Sequence, residues 1–435
     1  MKLSIIIPVG KEETNFHLIQ QIRNQFVDSE IILVCDSKFD RKNLASISYH
    51  QLLFIDNSTR AKALNEGSRY AKYSYLWFLH LDSNITNITP KDVERLEDNQ
   101  LYYFSLAFEN SLNTFNAIGA NYRSKLLSIP FGDQGFLMSK KLFFFIGMFN
   151  EAISRGEDHE FIWRAKSLEV AITMLNKTII TSSRKYVSNN MLQTLLTVWR
   201  TIIQIIQFRK TTIKTIYLFF SKDPLSIQSK TRLRKETDDY FVNEFNALCL
   251  SIMKENIMQL QANKTNKIVF VNNGNDNSYI ERLGLSNVGM MNIFSSELGI
   301  SMKDAYDFSL GFVDQVVLTG SDIPEITHKI LEKTADLLPI NNNIFYPTYD
   351  GGFCIYATKD KNVETIFTSV RYGLQTTLRD FVSHLTNYQI INNFLHDIDT
   401  LQDVKQLYQK WQAANNLSEK QKEMLSFLKN SKYIA

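Results

Sequence analysis

Short unbroken apolar runs alternate with longer stretches of helical spacing through most of this 435-residue chain. Leu3 to Ile7 is a β-branched run closed by Pro8, which predicts a buried first strand feeding the loop Gly10-Lys-Glu-Glu13. Phe16, Ile19 and Ile22 to Phe26 recur at helical spacing, and Glu30 to Val34 is strand-like again, ending in Cys35-Asp36-Ser37. Such a strand, helix, strand unit crosses over right-handedly in a parallel sheet. Leu52 to Ile55 predicts a third strand, Arg60 to Tyr73 a helix, and Tyr75 to Leu81 a fourth strand that runs straight into Asp82. In open α/β sheets ligands collect where strands stop, so Asp82 and Asp36 stand at the mouth of a cleft. Each reads equally well as a cap or turn residue, since Ser83 and Asn84 follow one and Ser37 the other.

Beyond Pro90 the spacing predicts a helix to Asn99 and then a strand over Tyr102 to Phe108. Pro130-Phe-Gly-Asp-Gln-Gly-Phe136 reads as a polar loop able to close on a ligand. Gly156-Glu-Asp-His-Glu160 opens a helix whose first turn sets three acids beside the positive end of its dipole, a pattern that also serves stability alone. An amphipathic helix is predicted over Met191 to Phe208, packing against the fold or lying on a membrane surface, with Arg200, Arg209, Lys210 and Lys214 at or beside it.

The alternation then restarts, with strands over Ile213 to Phe220, Lys267 to Val271, Gln315 to Leu318 and Phe353 to Ala357 and a long helix from Asp238 to Gln261. Two similar α/β domains follow, residues 1–210 and 211–435, in keeping with a length beyond one ordinary core. In the second, Val316 to Leu318 leads to Asp322 as Leu76 to Leu81 leads to Asp82, Asp350 precedes two glycines, and Asp397 and Asp399 precede the last helices. Asp322 and Asp399 together suit a divalent cation held between phosphates; singly, each reads as a cap or turn residue.

With 48 Lys plus Arg against 45 Asp plus Glu, the net +3 supplies no field to gather nucleic acid. Three dispersed cysteines, Cys35, Cys249 and Cys354, have no metal-ligand spacing and fit a reducing, cytoplasmic setting. The N-terminal apolar run is too short for a signal peptide, and no transmembrane segment is expected.

Residues 1–185 resemble the family-two glycosyltransferases of the GT-A fold, in particular the arsenosugar-biosynthesis branch. The resemblance rests on Ser4-Ile-Ile-Ile-Pro8 with Glu12-Glu13, Arg60-Ala-Lys-Ala-Leu-Asn-Glu-Gly67, Phe78-Leu-His-Leu-Asp-Ser83, Pro130-Phe-Gly-Asp-Gln-Gly135 and Gly156-Glu-Asp158. Residues 213–420 resemble a companion GT-A-like, nucleotidyltransferase-related family through Phe220-Ser-Lys-Asp-Pro224, Lys230-Thr-Arg-Leu233, Gly320-Ser-Asp-Ile-Pro324, Asp350-Gly-Gly352 and Asp397-Ile-Asp-Thr400. The chain thus looks like a fusion of both.

The resemblance implies tandem GT-A-like, Rossmann-like domains, a nucleotide-sugar donor, a small-molecule acceptor and a divalent Mg²⁺ or Mn²⁺. It implies Asp158 as base, with Glu157 and Asp133 near the acceptor. Pro8, Glu12, Asp36, Arg60, Asn65 and Asp82 fall on donor-binding positions, with Asp82 and His80 toward the metal. In the second domain Lys230, Arg232 and Asp350 would hold donor phosphates and Asp322 and Asp399 a metal. His80 stands where the family usually has the first acid of its DxD motif, and Ile227 where the companion family has glycine. The second domain is expected to make the nucleotide sugar, to bind it, or to serve as a scaffold.

Overall fold

The computed structural model describes all residues except 1, 46, 109–113, 183–198, 200–202, 204–205, 207–210, 222–228, 275–276 and 435, and the side chains of 114–116. The helix predicted over 191–208 and the loop around Ile227 lie largely outside the described residues. The chain divides into two compact units, Met1–Thr212 and Ile213–Ala435.

Unit 1 contributes β1 (Leu3–Val9), β2 (Glu30–Asp36), β3 (Gln51–Ile55), β4 (Tyr75–Phe78), β5 (Ser83–Asn84), β6 (Gln100–Phe108), β7 (Leu137–Ser139) and β8 (Ala171–Thr181). They form one sheet in the order β3-β2-β1-β4-β7-β6-β8-β5. The first four strands pair in parallel, while β7 runs against both β4 and β6. Unit 2 contributes β9 (Thr215–Ser221), β10 (Asn266–Asn272), β11 (Gly289–Asn292), β12 (Gln315–Gly320), β13 (Asn343–Pro347), β14 (Phe353–Thr358) and β15 (Gln389–Ile390), in the order β11-β10-β9-β12-β14-β13-β15. Here too the first four strands are parallel and the next, β14, is antiparallel to β12. Setting the two-residue β5 aside, both sheets run third, second, first, fourth, sixth, fifth, so the repeated alternation in the sequence is a repeated topology. The fold class expected from the alternation, α/β with two tandem Rossmann-like domains, is what the chain adopts.

The inner parallel strands form because their side chains are covered on both faces. All seven residues of β2 are buried, and Leu3, Ile5, Ile6 and Ile7 of β1 are fully so. Each such side chain contributes about 1.5–3 kcal/mol over an exposed one. The helix Arg60–Tyr70 lies hard against this sheet at Gly67, where an added Cβ would fall 2.5 Å from Ile6 Cγ2 and 3.1 Å from Val34 Cγ2. Unit 2 adds a cluster around the helix Asp239–Ala262, in which Phe241, Phe245, Ile252, Leu407, Trp411 and Met424 pack together.

Two expectations are corrected. The fourth strand ends at Phe78 instead of Leu81: its register with β7 stops at Trp77 opposite Leu137, and the His80 C=O accepts from the Ser83 N–H at 3.0 Å in a turn. Asp82 therefore lies in a turn beyond the strand. The helix expected from Pro90 to Asn99 is a single 3₁₀ turn, Pro90–Val93. The backbone beyond it is taken by other partners: Leu96 C=O accepts from the Tyr75 hydroxyl at 3.0 Å, and the Glu97 N–H donates to Tyr102 Oη at 2.9 Å.

Candidate functional site

Both sheets reverse strand order beside their first strand, and ligands of open α/β sheets lie at the carboxyl ends of the strands at such a switch point. In unit 1 this edge gathers side chains from four separate segments. Arg60, first residue of its helix, is hydrogen-bonded through Nε to Glu157 Oε1, and its Nη2 lies 3.6 Å from Asp158 Oδ2. Glu157 and Asp158 open the helix Glu157–Ser167, and both are buried. Asp158 also accepts from the Gly132 N–H at 2.8 Å and from its neighbour His159 N–H at 2.9 Å.

Burial alone would push the Asp158 carboxyl up. Arg60, then His159 and the two backbone N–H groups, reverse this and hold it below the usual range. Burial likewise works against the Arg60 charge, and Asp158 and Glu157 more than offset it. The loop that carries Gly132 comes close enough that a Cβ there would lie 3.1 Å from Asp158 Oδ2 and 3.5 Å from His80 Nε2. Only glycine leaves that space open. The adjacent Asp133 pairs with His80, Oδ1 to Nδ1, at 3.1 Å. Arg60, His80, Asp133, Glu157 and Asp158 thus form one connected polar group, with Asp82 two residues from His80 and half-buried.

The loop is fixed by a stack that the sequence does not reveal. His159 lies on Phe131 at 3.8 Å between ring centroids, and the Arg123 guanidinium sits 3.3 Å from the Phe131 centroid.

In unit 2 the centre is a lysine. Lys230 has a left-handed φ of +47°, a costly backbone for a non-glycine residue, and its side chain is only 5% exposed. Nζ donates to the Ile398 C=O at 2.8 Å and lies 3.2 Å from Asp322 Oδ2. Burial opposes its charge, but Asp322 and its acidic neighbours hold it protonated. Asp397 and Asp399 flank Ile398, and Asp399 Oδ2 is 3.5 Å from Arg232 Nη1, both side chains being exposed. Asp350, in the turn between β13 and β14, accepts from Thr348 Oγ1 at 2.5 Å and the Gly352 N–H at 3.2 Å. The Asp397 carboxyl is pushed up to about 7, first by desolvation and then by Asp322 and Asp399, with Lys230 acting the other way. Asp397 retains solvent contact, so screening discounts this rise.

A family of uncharacterised proteins conserved in bacteria, DUF2064, matches residues 257–374, less than half of the chain. No curated protein matches the chain. Similar solved structures include a protein designated a nucleotide-diphospho-sugar transferase from Desulfovibrio desulfuricans G20, at 22% identity over 49% of this chain and 95% of that one, with a TM-score of 0.42. A mannosyltransferase from Pyrobaculum calidifontis, solved with GDP-Man and Mn²⁺, is 13% identical over 41% of this chain and 56% of its own, TM-score 0.34. S. aureus TarS is 14% identical over 61% and 88%, TM-score 0.35.

Of the residues singled out in the sequence, Arg60, His80, Asp133, Glu157 and Asp158 come together in unit 1, and Lys230, Asp322, Asp350 and Asp399 in unit 2. Asp36, at the end of β2, is buried and accepts from the Lys38 N–H at 3.0 Å and the Ser58 N–H at 3.2 Å, with Lys11 Nζ 3.9 Å away. The Lys38 N–H is the main cause of its lowered carboxyl pKa. Pro8 is half-buried near the end of β1, and Glu12 is exposed in the following loop. Asn65 does not join the group: buried, it donates to Phe149 C=O at 2.8 Å and accepts from Phe149 N–H at 2.9 Å, tying the helix Arg60–Tyr70 to a loop. Sequence reasoning gave Asp397 no role, and only its crowding by acids from separate segments brings it out. Among the described residues no three His, Cys, Asp or Glu side chains converge as a metal site, and no helix is long and apolar enough to cross a membrane.

Proposed function

We propose that the chain is a glycosyltransferase that moves a sugar from a nucleotide-sugar donor to a small acceptor, with inversion, at the unit 1 site. The observation that carries this reading is Asp158: a buried carboxylate held ionised by Arg60 at the carboxyl edge of a parallel sheet. The acceptor oxygen attacks the anomeric carbon, the bond from that carbon to the diphosphate oxygen breaks, and Asp158 takes the acceptor proton. Arg60 keeps Asp158 charged, and with 31% of its side chain open it would meet the diphosphate. Asp133, braced by His80, borders the acceptor, Glu157 anchors Arg60, and Asp36 suits the nucleoside.

A divalent cation, when bound, neutralises the leaving diphosphate. Half-buried Asp82 and neighbouring His80 would hold it; a set this small suits Mg²⁺ or Mn²⁺, with phosphate oxygens and water completing the shell. The arsenosugar branch is the family affiliation this reading favours, the cytoplasm its compartment, and residues 1–210 and 211–435 its two domains. The experiment is a screen of nucleotide sugars with Mn²⁺ and Mg²⁺ for sugar release or transfer, followed by Asp158→Asn.

A second reading concerns unit 2. The buried Lys230, set among Asp322, Asp397 and Asp399, favours phosphate and metal handling over a purely scaffolding role. On this reading unit 2 makes the activated sugar that unit 1 consumes. Pyrophosphate release from a nucleoside triphosphate and a sugar phosphate, lost in Lys230→Ala, is the result it requires.

A further inference from the structure

Two exposed aromatic residues stand beside the Lys230 site with their backbones firmly held. Tyr349 is 61% and Phe394 41% exposed, and their ring centroids are 5.4 Å apart at 37°. Tyr349 also lies over His396 at 4.5 Å and 32°. The three rings form a row with Tyr349 in the middle. Exposed aromatic surface of this kind is unfavourable in water unless something covers it.

The row is built from below. His396 is 6% exposed, and both its backbone N–H and its Nδ1 bond to Glu325 Oε2 at 2.7 Å. Lys410 Nζ reaches Glu325 Oε1 at 2.6 Å and the Phe394 C=O at 3.1 Å. The Leu395 N–H donates to Pro347 C=O at 3.1 Å, and Thr348 is bridged to Leu395. A buried carboxylate, a histidine and a lysine therefore fix the backbone under both aromatic residues before any ligand arrives, which is the condition for a shelf and not a mobile pair of side chains.

The position of the row gives it meaning. Asp350 directly follows Tyr349 and Asp397 directly follows His396, and the next residue, Ile398, gives its C=O to Lys230 Nζ at 2.8 Å. The shelf thus adjoins the group that surrounds Lys230. We infer that Tyr349 and Phe394 form a shelf for the sugar ring of a sugar phosphate whose phosphate lies toward Lys230. This rests on the reading of unit 2 as a phosphate-handling site and adds the ligand's other half.

A sugar fits better than a nucleobase. One face of a pyranose presents C–H groups that pack on aromatic rings, while its hydroxyls need acceptors. Of the groups flanking the shelf, Asp350 is a carboxylate that only accepts, and Asp397 offers an acceptor oxygen in either protonation state. A base edge, which mixes donors and acceptors, would leave its own acceptors facing the Asp350 charge.

The test uses the full chain with Mn²⁺ and a panel of hexose 1-phosphates, nucleoside monophosphates, inorganic phosphate and pyrophosphate, read by saturation-transfer NMR and competition titration. At least one hexose 1-phosphate should receive saturation on its ring protons and bind ten-fold or more tighter than inorganic phosphate. Tyr349→Ala should remove that ten-fold advantage, Phe394→Ala part of it, and Tyr349→Phe, which keeps the ring, almost none. Since Tyr349 is largely exposed, its variants keep the fold, and an unchanged melting curve checks this. Hexose phosphate binding indifferent to Tyr349→Ala overturns the shelf, as does shelf-dependent binding of nucleoside monophosphates alone. If pyrophosphate binds through Lys230 but no hexose phosphate does, the sugar shelf fails while the phosphate site stands. If nothing binds, both fail.

Discussion

The two units share a strand order but arrange charge in opposite ways at the same edge of the sheet. Unit 1 sets an arginine across two buried acids and leaves Asp158 ionised; unit 2 crowds aspartates around one buried lysine and pushes the Asp397 carboxyl up. One arrangement holds a buried carboxylate ionised, as the proposed base requires. The other holds excess negative charge that phosphate-bound cations would relieve. The lesson is that a repeated topology fixes where chemistry gathers and leaves its kind to a few side chains.

The largest effect should come from breaking the unit 1 pair. Arg60→Ala leaves Glu157 and Asp158 buried without their cation and should cost about 3–5 kcal/mol in denaturant unfolding. It should also move the acid limb of any transfer activity upward in pH, since the Asp158 carboxyl would lose the cation that depresses it. A small loss with an unmoved limb would break the contrast between the sites.

Lys230→Ala should cost less, about 1–3 kcal/mol, because its partner Asp322 is half open to water and can be resolvated. It should also abolish pyrophosphate binding, which isothermal titration would follow. Gly132→Ala should next distinguish positioning from packing. Its Cβ would press on Asp158 Oδ2 at 3.1 Å, so catalysis should fall about ten-fold or more while stability drops by only about 1 kcal/mol. Equal losses of both would make the loop merely structural.

The smallest effect is the sharpest. Asp158 is depressed, so the stability it contributes is present above the unfolded value of about 3.9 and lost as pH falls through its folded value. Asp397 is raised, so its contribution is full below about 3.9 and is lost as pH rises toward about 7. Asp397→Asn should therefore flatten the stability profile between those limits, by under about 1 kcal/mol given screening. Thermal melts across that range check the sign; a steeper profile in the variant would reverse the account of unit 2.

Much of this framework was legible along the chain. The runs at Leu3, Glu30, Ile213, Lys267 and Gln315 became strands because burial on both faces leaves a continuous apolar signature, while the one at Leu52 became a half-buried edge strand. Short strands such as β7 and β15 carry too few residues for a period, and the helix expected after Pro90 lost to hydrogen bonds that its backbone makes with the Tyr75 and Tyr102 hydroxyls. Of the sites, the acids at strand ends were readable as residue types. Their partners were not: Arg60 meets Glu157 across 97 positions, and Lys230 meets Ile398 across 168. The same holds for Asn65, whose bonds to the Phe149 backbone span 84 positions.

The most direct test is sugar release from a nucleotide sugar, to water or to an acceptor, by the full chain with Mn²⁺, compared with Asp158→Asn. The account predicts turnover by the native chain, a loss of about 10²–10⁴-fold in the variant, and donor binding that survives the substitution. Turnover by Asp158→Asn at the native rate, with donor bound as before, would contradict it.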